Sequence, residues 1–196
     1  MSRAPGKLVV HHRSANSAMA TLDAFFLMRC FGSITPEDIR ATLKCAQILK
    51  AFRPEGSASI VAIDPSSGFP SEEARRAAVN VSRETSSQTL ALAIVILGDG
   101  FWASAIRGVV TTLNSLTKSS NPRRVMRYEQ EAVDWVIPIL GESPQQYQEP
   151  LLAGLQLLKP AESAPPPPPP STVPPSTPKN ARVSSKVPPS SKRRAG

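Results

Sequence analysis

The sequence predicts an α/β domain: a mixed, mostly parallel sheet of about five strands with an N-terminal hairpin and four to five helices, followed by a disordered tail. Three observations predict it. Short, β-branched runs alternate with stretches of helical period. The first two strand-like runs are separated only by a turn, so they pair as a hairpin. Beyond Leu158 the chain holds no Leu, Ile or Phe and only three valines, too little to bury a core.

Residues 7–13 read as a first strand and 18–27 as a second, with 14–17 as the turn. Phe25, Phe26, Leu27, Met28 and Phe31 form an apolar cluster expected beneath the sheet. A helix starts at Thr35: its hydroxyl caps, Pro36 suits the first helical position, and Asp38 stands where a capping box places its acid. At 100° per residue Ile39, Leu43, Cys45, Ala46, Leu49 and Phe52 share one face, with Arg40, Lys44 and Gln47 opposite. Pro54 and Gly56 break this helix. Residues 59–64 are short, β-branched and uncharged until their end, the pattern of a buried central strand.

Residues 65–70 form a loop, and Ser71 caps a second helix over 72–86. Its inward side, Ala74, Ala77, Ala78 and Val81, is small enough to predict close approach to the sheet. Residues 89–97 are a second buried strand. Asp99 and Gly100 open a third helix over 101–118, with Trp102, Ile106, Val109, Leu113 and Leu116 at 4-3-4-3 spacing and Arg107 as its one charge before Lys118. Residues 124–128 make a last strand and 129–139 a fourth helix. A final helix begins at Pro144 or at Pro150, with Leu151, Leu152, Leu155 and Leu158 as its apolar stripe. The organisation expected is therefore a flexible 1–6, a domain over 7–140, a helical extension over 141–159 and a disordered tail over 160–196.

Composition removes several functions from consideration. No apolar run approaches the roughly 20 residues that span a bilayer. Cys30 and Cys45 have neither CxxC nor zinc spacing, and the N-terminus lacks the apolar core of a signal peptide, so a reducing cytoplasm is expected. His11 and His12 are neighbours on a strand, expected on opposite faces, which disfavours a shared metal. Glycine-rich phosphate loops and a G-x-S-x-G elbow are missing, so neither a cofactor nor a catalytic residue is assigned. Arg75, Arg76, Arg83, Arg123, Arg124 and Arg127 offer a basic face, but aromatic content is too low for a base-stacking platform.

Three stretches resemble the STAS and SpoIIAA-like group, the fold of anti-sigma-factor antagonists. They are Ile63-Asp64 followed by Pro65-Ser66-Ser67-Gly68, the hydrophobic strand over 90–97, and Tyr128-Glu129-Gln130-Glu131-Ala132-Val133-Asp134-Trp135. The resemblance covers roughly residues 7–140. It implies a regulatory, protein-binding role, and by analogy with the Asp-Ser-Ser-Gly phosphoacceptor of that group it points to Ser67, or its neighbour Ser66. One residue is inserted here, and Phe69-Pro70 delays the helix; a turn chosen for its backbone explains the same residues.

The function expected is a non-catalytic regulatory or scaffolding module that binds a protein partner. The third helix is either a buried element or a partner or homodimer face built on Trp102, Ile106, Val109 and Leu113. One alternative is a small-ligand or lipid site between that helix and Phe25–Phe31. The other is nucleic acid or an anionic surface held by the tail, where a polyproline run over 165–170 precedes Lys192, Arg193 and Arg194.

Overall fold

The structure is a computed structural model that describes residues 5–117 and 121–160, the backbone alone for 113–117. The expected tail, its cationic Lys192, Arg193 and Arg194, and the side chain of Leu113 lie outside the described residues. Six strands, β1 (Val9–Arg13), β2 (Ser17–Leu22), β3 (Phe25–Cys30), β4 (Ser57–Ile63), β5 (Thr89–Ile96) and β6 (Arg123–Met126), form one sheet in chain order. β1, β2 and β3 pair antiparallel; β3 to β6 run parallel. Each parallel step needs a crossover helix: α1 (Pro36–Phe52), α2 (Glu72–Glu84) and α3 (Gly100–Thr117). Because every step moves one strand the same way, a single crossover hand puts all three on one face. α4 (Glu129–Ile139) and α5 (Pro144–Leu157) cover the other.

The largest core lies beneath α4 and α5. Phe25, Leu27, Ile60, Val95, Val133, Ile137, Leu151 and Leu155 are fully buried there. The segment expected as an extension is thus integral to the core. The helix begins at Pro144, and Gly154 lets its backbone pass Leu8 and Leu27, where a Cβ would come within 2.7 Å of the Leu27 methyl.

The expected second strand is two strands. Asp23 takes a left-handed φ of 49°, and a turn at Asp23 and Ala24 reverses the chain between Leu22 and Phe25. The Asp23 carboxylate accepts from Tyr147 Oη at 3.0 Å and from the Gly6 amide at 2.7 Å. Both flanks are buried on both faces, so no alternation of exposed and buried residues marks where one strand ends and the next begins. The phenylalanine cluster is accordingly β3 itself rather than a layer beneath the sheet: Phe25 and Leu27 face α4 and α5, Phe26 and Met28 face α1.

His11 and His12 also depart from the expected alternation. β1 carries a bulge between Val10 and His12, which pair with Ala20 and Met19. The extra residue turns both rings to the α1 face, where His11 Nε2 lies 2.8 Å from Thr21 Oγ1 and His12 Nε2 lies 3.0 Å from Asp38 Oδ1. The expected close seating of α2 is not found either. Only Ala74 is buried, and the helix packs chiefly on α1 and α3.

Candidate functional site

The carboxyl ends of the parallel strands carry the loops that position function in open α/β sheets. This edge is built around Arg29, the one charged residue of β3, 4% exposed. Its guanidinium forks onto Asp64 at the end of β4, Nε to Oδ2 at 2.9 Å and Nη2 to Oδ1 at 2.6 Å. Nη1 donates to Glu129 Oε1 at 2.5 Å in the first turn of α4 and to the Leu155 carbonyl of α5 at 3.3 Å. Burial alone would lower the guanidinium's proton affinity; the hydrogen bonds and charges of Asp64 and Glu129 outweigh it and hold it above its usual value. The triad thus locks two strands and two helices at the edge from which the loop over 64–71 departs.

That loop is rigid. Ser67 N donates to Asp64 O at 2.9 Å and its hydroxyl to Cys30 O at 2.7 Å, while the Ser66 hydroxyl donates to Phe31 O at 3.0 Å. Trp102 Nε1 closes the loop from α3, donating to Ser67 O at 3.1 Å. Ser67 is 4% exposed, and its hydroxyl is turned inward. Ser66 is the serine that faces solvent.

Of the stripe proposed as a partner face, Ile106 is 3% exposed and packs with Ile94 and Ile96, while Trp102 and Val109 are half-buried. It is the helix's inner side. At the start of α3 Phe101 is 89% exposed, and Phe69 on the loop over 64–71 is 54% exposed.

Because α2 stands off the sheet, two spaces open beside it. One is an apolar cavity of about 220 Å³ beneath α2, with Met28, Val61, Ile63 and Ile94 as its floor and Ala78, Ile106 and Val110 among its walls. The other is an outer groove between α2 and α3, about 840 Å³, lined by Arg75, Arg76 and Arg83 and by Gly108 and Thr112. Arg75 and Val109 border both. The remaining arginines are dispersed. Arg123 reaches Ser82 at 2.9 Å, Arg124 lies over the Trp135 ring at 5.2 Å, and Arg127 pairs with Asp99.

A second polar cluster joins β1, the β1–β2 turn and α1. Asp38, 1% exposed, accepts from His12 at 3.0 Å and from Ser14 and Ser17 at 2.8 Å each through Oδ1. Its Oδ2 accepts from the Thr35 amide at 2.9 Å and hydroxyl at 2.8 Å. The predicted capping box is therefore the visible half of a five-donor site. Burial opposes the charge, but the bonds from Thr35, His12 and Ser14 outweigh it and hold the carboxyl well below the usual range. Among the described residues no group of three or more His, Cys, Asp or Glu is placed to hold a metal ion. No described helix is long and apolar enough to cross a membrane.

Both thiols are free and buried. Burial pushes Cys30 up to about 12, helped by the charges of Asp38 and Asp64, and Cys45 up to about 11. At pH 8 an aromatic disulfide reagent is therefore expected to titrate neither thiol in the native chain and both after unfolding in guanidinium. Rapid labelling of the folded protein would contradict the packing around β3.

Sequence reasoning passed over Arg29 and read Asp38 only as a cap. The available signals were a lone arginine inside Phe-Phe-Leu-Met-Arg-Cys-Phe and an aspartate closing the next strand. Comparisons with family models, curated proteins and solved structures gave no match, so the reading of this chain rests on its own geometry.

Proposed function

We propose that the chain is a non-catalytic regulatory or scaffolding module that docks a partner protein on the edge formed by the loop over 64–71 and the start of α3. The observation that carries this reading is the pair of exposed phenylalanines, Phe69 and Phe101, on a loop and helix start that the Trp102 to Ser67 bond ties together. Large apolar side chains held outward on a rigid frame lose little conformational entropy on binding, which makes them anchors. The resemblance to STAS domains supports the same kind of role, with Ser66 the serine open to modification. The cationic tail adds a salt-sensitive contact, and a reducing cytoplasm suits two unpaired thiols.

The test is a cross-linked pull-down with the full chain and with Phe69→Ala/Phe101→Ala. The double variant, whose changes are at exposed positions, is expected to keep the wild-type melting temperature within about 3 °C and to lose the protein captured by the wild type. Equal capture by both overturns the assignment of this edge. Capture that instead vanishes when the chain is cut after Lys159, or falls steeply with salt, transfers recognition to the tail.

A further inference from the structure

We infer that the space beneath and beside α2 is a binding site for a free, single-chain anionic amphiphile, with the chain in the apolar cavity and the head on the arginines of the groove. Phe69 and Phe101, the anchors proposed for partner docking, do not line this space, although Ser67, Gly68 and Pro70 of the same loop do.

Four observations converge on it. The cavity of about 220 Å³ is lined almost wholly by apolar side chains, so water finds no partners inside; a dry apolar cavity of about 150 Å³ already takes up a molecule such as benzene. The cavity does not stand alone: it adjoins the outer groove at Arg75 and Val109, which line both, and the inferred ligand passes these two side chains. The groove is charge-selective. Arg75, Arg76 and Arg83 are exposed along it against one acid, Glu72, which is already paired with Arg76. Finally, α2 is held by α1 and α3 more than by the sheet, and only Ala74 is buried on it, so the element roofing the cavity is the one best able to shift when a chain enters. Guanidinium groups match a carboxylate bidentately, and the volume suits one short chain, so the ligand class is a medium-chain carboxylate.

Isothermal titration calorimetry of the full chain with decanoate, decanol and decyltrimethylammonium tests this. Decanoate is expected to bind one per chain, decanol at least fivefold more weakly, and the cation not measurably. Arg75→Gln/Arg83→Gln is expected to weaken decanoate at least tenfold and leave decanol unchanged, since the tail site is intact. Ala78→Leu, which fills the cavity, is expected to weaken both by at least tenfold. Should that variant fold poorly, Val110→Phe, at another wall of the same cavity, serves instead; Gly108→Leu, which lines only the outer groove, is expected to weaken decanoate and leave decanol unchanged. A Cβ at Gly108 meets nothing within 4 Å, so a side chain there starts in open space. Absence of decanoate binding below its micelle concentration, equal binding of the ammonium amphiphile, or binding unchanged by the filling variants overturns the proposal.

Discussion

Replacing Arg29 by methionine is expected to destabilise the fold by about 3–5 kcal/mol, a large part of the margin of an ordinary domain. Methionine keeps the apolar stem of arginine but removes all four hydrogen bonds that the guanidinium donates. Asp64 and Glu129, each with a side chain 13% exposed, then face one another across the edge without their shared cation. The loss comes from those stranded carboxylates more than from a favourable ion pair, because desolvating three charges cancels much of their attraction. Urea denaturation of one further chain separates the two explanations. If the stranded charges dominate, Arg29→Met/Asp64→Leu/Glu129→Met recovers most of the lost stability. If the attraction dominates, the triple variant is at least as unstable as the single one. The single variant is also expected to loosen the loop over 64–71, raising amide exchange at Ser67, whose N–H is held by the Asp64 carbonyl.

The second large effect lies at Asp38. Asp38→Asn is expected to cost about 3–5 kcal/mol at pH 7, because five donors lose a charged acceptor in a buried site and the new amide places its own hydrogens against some of them. The same geometry fixes the sign of a pH dependence. Asp38 has a folded proton affinity below that of the unfolded chain, where an aspartate titrates near about 3.9. Below that value the unfolded chain takes up the proton first. The stabilisation is therefore complete above about pH 5 and is lost progressively as the pH falls through the acidic range toward the folded value. Chemical denaturation from pH 7 to pH 2 checks this. The Asp38→Asn curve is expected to be flatter on the acid side than the wild-type curve, and parallel curves would show that Asp38 does not carry the linkage.

The legible part of this protein is the part governed by local rules. The capping box at Thr35 and Asp38, Pro36 in the first turn, the alternation of buried runs with helical stretches and the N-terminal pairing each depend on residues within a few positions of one another, so they can be read in order along the chain. The turn at Asp23 and Ala24 escaped because strands buried on both faces lack the alternation that marks where one ends, and Asp23 was the one local cue. The bulge at His11 escaped for a related reason: one extra residue in a register is a property of the pair β1 and β2, not of either strand.

What only the tertiary structure decided is the meeting of residues far apart in the chain. Arg29 and Glu129 are 100 positions apart, and they meet because the first turn of α4, a helix packed on β4 and β5, reaches the guanidinium at the end of β3. Phe101 is outward and Trp102 inward because the latter finds the Ser67 carbonyl 35 positions away. The small residues of α2 are compatible with contact to a sheet, but α1 and α3 hold that helix clear, and the cavity beneath it exists through their spacing alone. Sequence determined which elements form and which faces are apolar, since hydrophobic period and capping act over one or two turns. Placement of charges and voids depends on long-range packing, which fills space only as well as the assembled shapes allow.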